Sequence, residues 1–273
     1  MDSIGFQEIL LIGVLVLILF GPKGMGGIMR EMGRAVGKMK KYRDEFSREI
    51  MAMSEPVLTE EQIRGNERKR IRKTCRSAMD DMPAEQRTRE SGEIHERLFA
   101  LPEYQNARRL FCYVSLDTEA DTRRILRAAL DQGRELFVPA CRPADKTIAL
   151  AQIRDPETDL VPGMLKILEP RPERIAVVDP LSLDLFIIPG VAFDNDGNRL
   201  GRGAGYFDRF LKGIKGQRPI AALALSVQVY PYSIPTRPHD IRPDKIMTPY
   251  SIIEEKPCPT NAPRAETAPT TPA

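Results

Sequence analysis

Apolar residues fall into three regimes along the chain. From Ile9 to Phe20 they run without interruption or charge. Twelve helical residues span roughly 18 Å, short of a bilayer core of about 30 Å. Extending back to Ile4 gives about 26 Å, with Glu8 then inside the span. By length alone this is a buried helix or a signal-peptide segment, but Asp2 and Glu8 stand where a basic start belongs and no small-residue cleavage site follows. After the break at Phe20-Gly21-Pro22-Lys23, the pattern turns helical. Ile28, Met32, Ala35, Met39, Tyr42, Phe46 and Ile50 recur at spacings of four and three, forming one apolar stripe.

The third regime is mixed. Residues 54–66 are polar, contain Pro56 and read as a linker. Helical periodicity covers Arg68–Met79, Ala84–Leu101 (after Pro83) and Thr122–Gln132, and a further helix opens near Gly205. Strand-like runs occupy Leu110–Ser115, Glu135–Cys141, Thr147–Ile153, Asp184–Phe193 and Ile220–Leu225. This alternation predicts an α/β domain over residues 67–253, a three-layer α/β/α sandwich around a largely parallel sheet. Residues 254–273 are rich in Pro, Thr and Ala and read as a disordered tail.

Charge changes the picture only at the N-terminus. The net charge of +3 is close to neutral and gives no reason to expect a nucleic-acid partner. Yet Lys23, Arg30, Arg34, Lys38, Lys40, Lys41 and Arg43 accompany the stripe, with few acids before Asp44. A basic amphipathic helix after an apolar run reads as one lying on an anionic membrane surface; the alternative is a stripe packed on a soluble core. The cationic cluster places the remainder of the chain in the cytoplasm. Residues 1–53 are thus expected to form a membrane anchor. Cys75, Cys112, Cys141 and Cys258 are widely spaced, and His95 and His239 are the only histidines, which argues against a disulfide framework or a structural zinc site.

The candidate chemistry lies after the fourth strand-like run. Glycines recur at 201, 203 and 205 between Arg199, Arg202 and an aromatic helix start at Tyr206-Phe207. Alternate glycines let backbone N–H groups approach a ligand, and a helix N-terminus favours anions. The spacing matches neither the G-x-x-x-x-G-K-[ST] loop nor G-x-G-x-x-G. From the residues alone this is an anion site after a strand, or a Gly-rich turn that binds nothing.

Two resemblances extend these readings. Ile4-Gly5-Phe6, Glu8, the short apolar run, Phe20-Gly21-Pro22-Lys23 and the amphipathic helix resemble the A/B-type subunits of the twin-arginine translocase, with Glu8 nearer the B-type pattern. The resemblance implies a single-pass location in the inner membrane and raises other translocase subunits as partners. Pro189-Gly-Val-Ala-Phe-Asp194, followed by Gly197-x-Arg199-Leu-Gly-x-Gly-x-Gly-Tyr206-x-Asp208-Arg-Phe-Leu211, closely resembles the signature of 5-formyltetrahydrofolate cyclo-ligases. Phe207 stands where that family usually has a second tyrosine. Arg68-Lys-Arg-Ile-Arg72, Ser115–Thr122 and His239-Asp240 resemble further elements of the same family, with arginine at 68 where lysine is usual.

This second resemblance implies ATP and Mg²⁺ as cofactors and 5-formyltetrahydrofolate as substrate. Arg68 or Lys69, Arg72, Arg199, Leu200, Gly201, Arg202, Gly203, Ala204, Gly205, Tyr206 and Phe207 would bind the nucleotide. Val114, Glu119, Arg202 and Tyr206 would meet the folate, with Arg202 and Tyr206 at the reacting centre. Asp208 and Asp240 would hold the metal. A competing reading is a translocase component whose C-terminal domain binds folate or nucleotide without catalysis.

Overall fold

The computed structural model describes residues 33–34, 36–45, 58–163 and 168–256. The chain divides into two compact units, 1–60 and 61–273. In the first, residues 33–34 and 36–45 are helical and exposed, and Met39 and Tyr42 from the predicted stripe are 71% and 73% accessible. The predicted span from Ile9 to Phe20 and the tail beyond residue 256 lie outside the described residues. Among the described residues no helix is long and apolar enough to cross a membrane.

The second unit is a mixed α/β fold around one eight-stranded sheet. Helices α1 (Glu60–Asp80), α2 (Ala84–Phe99) and α3 (Pro102–Asn106) precede β1 (Arg109–Cys112). Helix α4 (Arg123–Asp131) then crosses to β2 (Glu135–Arg142), which turns back as β3 (Thr147–Ile153). The short α5 (Pro156–Asp159), β4 (Leu160–Pro162), β5 (Leu168–Pro170) and β6 (Ile175–Ala176) lead to β7 (Leu185–Ile188). A hairpin of β8 (Ala192–Phe193) and β9 (Arg199–Leu200) runs into α6 (Tyr206–Leu211), and β10 (Ile220–Leu223), β11 (Lys245–Met247) and β12 (Ile252–Glu254) complete the unit. The sheet order is β12-β11-β10-β7-β1-β2-β3-β6. Its five central strands are parallel, while β12, β3 and β6 join antiparallel.

The largely parallel sheet is buried on both faces, as period-two alternation dictates. Leu110, Cys112, Leu136, Val138, Leu185 and Ile187 point to one cluster, with Ile94 and Leu98 of α2 and Ile125 and Leu126 of α4. Their strand neighbours Phe111, Phe137, Phe186 and Ile188 enter the other, with Leu211, Phe207 and Phe210 of α6. A smaller third cluster sets Ile71 and Cys75 of α1 against Val191, Ala192 and Leu200.

The structure revises several boundaries. Residues 60–66, expected as linker, open helix α1. The run predicted over Asp184–Phe193 breaks after Ile188. Pro189 has no N–H to give a ladder. A Cβ on Gly190 would lie 2.3 Å from the Phe193 ring, so only glycine lets that ring fold back over the chain. Asp194 Oδ1 accepts from the N–H groups of Asp196 and Asn198, which closes the β8–β9 turn.

Candidate functional site

Topology brings two separate sequence segments together. Strands β1 and β7 are parallel neighbours, so the loops leaving their carboxyl ends emerge side by side, where open α/β sheets bind ligands. One carries Glu119 and the other the glycine loop. Arg202 Nη2 donates to Glu119 Oε1 at 2.7 Å, with Arg202 half exposed and Glu119 buried.

The Glu119 loop is pinned on every side. Its own Oε2 accepts from Leu116 N–H, and Ser115 and Thr122 exchange two backbone-to-hydroxyl bonds. Tyr113 Oη donates to the Ala120 carbonyl, and Ser91 Oγ accepts from Asp121 N–H. His95 Nε2 lies 2.6 Å from the Asp121 carbonyl, so Nε2 carries the proton. Its Nδ1 is buried without a partner, and burial lowers the imidazole pKa, leaving the ring neutral. Burial, then the charge of Glu119, raises the Tyr113 phenol well above its ordinary value. Val114 continues β1 between these anchors, half buried against the core.

The glycine loop is held by its carbonyls. Arg72 Nε donates to Gly201 O at 2.8 Å, Arg76 Nη2 to Arg202 O at 3.1 Å, and Arg209 Nη2 to Ala204 O at 3.0 Å. Gly203 and Gly205 take φ of +113° and +72°, conformations that side chains resist. Among the described residues the N–H groups of Arg202 through Tyr206 donate to no protein acceptor. Carbonyls turned onto arginines and a row of uncommitted N–H groups make a nest suited to anions. The helix that follows has only six residues, so the loop amides and guanidiniums, rather than a long helix dipole, supply the field.

Below the loop lie two ion pairs. Arg199 is buried and donates to the Pro189 and Ile241 carbonyls and, at 2.5 Å, to Asp208 Oδ1. It therefore fixes Asp208 from beneath, with all three donor groups engaged. Burial lowers its pKa, against the opposing pull of Asp208. Arg68 is likewise buried and grips both oxygens of Asp240, while also donating to the Pro235 carbonyl. Asp240 Oδ2 accepts a third bond from Arg237 N–H. Lys69 is exposed, so of the two basic candidates on α1 it is Arg68 that faces the site. Arg72 is depressed by burial first, then by the charges of Arg68, Arg76 and Arg237, which marks a concentrated positive field.

The fit of a magnesium ion differs between the two aspartates. Asp208 Oδ1 is taken by Arg199 and by Ile241 N–H at 3.2 Å, while no protein donor reaches Oδ2. One such carboxylate oxygen beside phosphates is an ordinary magnesium environment. Asp240 would first have to release Arg68. No group of three or more metal-ligating side chains occurs among the described residues.

Sequence reading missed Arg76, Arg209, His95, Ser91 and Tyr113. Arg76 had a signal, being four residues beyond Arg72 and so on the same helix face. His95 and Ser91 act on the distant Asp121 backbone and Arg209 on the distant Lys146 carbonyl, pairings that spacing does not reveal, whereas Tyr113 bonds Ala120 within its own loop.

Sheet and site together define an α/β protein with an arginine-backed glycine loop at the carboxyl ends of its parallel strands. The profile of the 5-formyltetrahydrofolate cyclo-ligase family matches residues 64–249, and that of the mttA/Hcf106 family matches residues 1–49. The chain is 32% identical over 233 residues to the mitochondrial 5-formyltetrahydrofolate cyclo-ligase of Arabidopsis thaliana, an overlap of 76% of this chain and 83% of that protein. It is 30% identical to the mouse (Mus musculus) 5-formyltetrahydrofolate cyclo-ligase over 65% of this chain and 91% of the relative. The NMR structure of Aquifex aeolicus 5,10-methenyltetrahydrofolate synthetase superposes with a TM-score of 0.60 at 28% identity, covering 73% of this chain and 98% of that one. A Mycoplasma pneumoniae 5,10-methenyltetrahydrofolate synthetase shares the fold at TM-score 0.54 and 21% identity, over 67% and 98% of the two chains. The chain belongs to the 5-formyltetrahydrofolate cyclo-ligase family and is an enzyme of that family.

Proposed function

We propose that this enzyme closes the ring of 5-formyltetrahydrofolate at the expense of ATP, giving 5,10-methenyltetrahydrofolate, ADP and phosphate. The observation that carries the reading is the ion pair between Arg202 of the anion loop and Glu119 of the neighbouring strand end. It joins a phosphate-suited nest to a buried carboxylate suited to the N–H groups of a pterin.

In the proposed reaction N10 bonds to the formyl carbon, and the formyl oxygen leaves as phosphate after accepting the γ-phosphoryl group of ATP. Such chemistry asks the protein for positioning and charge neutralisation above all. The amides of residues 202–206 bind the phosphates, and Leu200 and Gly201 set the loop's entry. Arg72 orients the loop from α1. Arg202 stands between nucleotide and folate, able to neutralise the oxygen on which negative charge gathers. Glu119, held rigid by its loop, orients the folate beside Val114, while Tyr206 and Phe207 wall the reacting centre. Arg199 fixes Asp208, which would hold a magnesium ion; the metal would offset phosphate charge. Asp240 and Arg68 lock α1 against the C-terminal loop, and Asp240 would join Asp208 as a metal ligand only if freed from Arg68.

A folate labelled with ¹⁸O in the formyl group tests the route. The label is expected in inorganic phosphate; label recovered only in water would exclude phosphorylation of that oxygen.

We further propose that residues 1–53 anchor the enzyme, single-pass, in the inner membrane with the catalytic domain in the cytoplasm. The mttA/Hcf106 match and the apolar stripe that includes the exposed Met39 and Tyr42, with its accompanying lysines and arginines, support this reading. The full chain should co-sediment with anionic vesicles, and a chain lacking residues 1–53 should stay in solution. Equal partition of the two would remove the anchor from the account.

A further inference from the structure

The one described non-glycine residue with a left-handed backbone is Lys146, at φ +56°. It closes the tip of the β2–β3 hairpin, next to the terminal Arg142–Thr147 pair. Asparagine or glycine would sit there at lower cost. Asp145 secures the turn locally, its Oδ1 accepting from both the N–H and the hydroxyl of Thr147. The conformation turns the Lys146 carbonyl toward α6. Arg209 meets it there with two donors, Nε at 3.1 Å and Nη2 at 2.6 Å.

The same Nη2 donates to Ala204 O at 3.0 Å in the glycine loop. The guanidinium lies 5.7 Å from the centre of the Tyr206 ring. A Cβ on Gly205 would come within 2.9 Å of Nη1, so the arginine also occupies the space that this left-handed glycine leaves. Arg72 and Arg76 hold the Gly201 and Arg202 carbonyls from α1, and Arg209 holds the Ala204 carbonyl from α6.

We propose that Arg209 is a positioning residue for nucleotide binding, anchoring the Ala204 carbonyl against the strained tip of the β2–β3 hairpin so that the loop amides face the phosphates. The proposal rests on the nucleotide reading given above. Arg209 is exposed, and exposed polar contacts add little to folding stability. Its effect belongs in ligand affinity, not in global stability.

The test uses the full chain, with ATP itself as probe. Arg209→Ala should raise the KM and Kd for ATP about tenfold, leave the folate KM within about twofold and leave Tm nearly unchanged. Arg209→Lys should recover part of the loss. Lys146→Gly keeps the carbonyl and accepts positive φ, so ATP affinity should be retained. Lys146→Pro cannot adopt that φ and should reproduce the Arg209→Ala defect. The double variant Arg209→Ala/Lys146→Pro should be no worse than either alone, since both cut one link. Unchanged ATP affinity in Arg209→Ala, additive defects, or equal loss of both substrates together with a lowered Tm would overturn the inference. A wild-type chain that failed to bind ATP would instead overturn the nucleotide reading itself.

Discussion

Replacing Asp208 with asparagine is expected to lower turnover about 10²–10³-fold, the usual loss when one preorganised charge is removed from a reacting centre. Asparagine is nearly isosteric and still offers an oxygen to Arg199 Nη2 and to Ile241 N–H. The site should therefore stay assembled while the negative charge disappears. Arg199 is almost entirely buried, with a side chain 1% accessible, and loses its counter-charge. Breaking such a pair outright costs about 3–5 kcal/mol, and the retained hydrogen bond should keep the loss below that. Turnover followed by methenyl-folate absorbance, beside a thermal melt, separates the two effects. Near-normal turnover in a folded variant would remove Asp208 from the mechanism.

The second large effect is expected from Arg202→Ala. The side chain is half exposed and reaches the buried Glu119, so a thermal melt is needed to separate lost stability from lost catalysis. Two consequences follow for catalysis. Glu119 would lose its cation and stay buried as an uncompensated carboxylate, weakening the folate site. The reacting oxygen would lose the nearest guanidinium. We expect kcat/KM for the folate to fall about 100-fold or more, with a fall in kcat as well as a rise in KM. A change confined to KM would make Arg202 a binding residue alone.

Much of this arrangement was legible in the sequence, for reasons that differ by element. The central strands announced themselves as short apolar runs rich in β-branched and aromatic residues, as at Leu185–Ile188. The glycine loop was visible because positive φ at Gly203 and Gly205 excludes most other residues. Two-residue strands such as β6 and β9 gave no pattern long enough to read, and tertiary pairing alone creates them. The linker expected at 54–66 ends early because Glu60 to Arg64 are good helix formers, and with the weaker Gly65 and Asn66 they extend the helix that Ile71 and Cys75 anchor.

Within the site, the sequence indicated residue types and not their partners. Arg199 and Arg202 look alike in the string, yet one is buried beneath the loop holding Asp208 and the other reaches across to Glu119. Asp240 read as a metal ligand, and Arg68 as a nucleotide clamp. They bind each other across 172 positions, a pairing that local spacing cannot encode. His95, first read only as one of two scattered histidines, supports the Glu119 loop through a backbone carbonyl.

The proposed ring closure can be tested by incubating the full chain with 5-formyltetrahydrofolate, with and without ATP, and following methenyl-folate absorbance. Turnover is expected only when ATP is present, with ADP formed in step with the cyclised product. A folded chain that binds folate or ATP but forms no product would contradict it and favour a non-catalytic domain carried by a translocase-like segment.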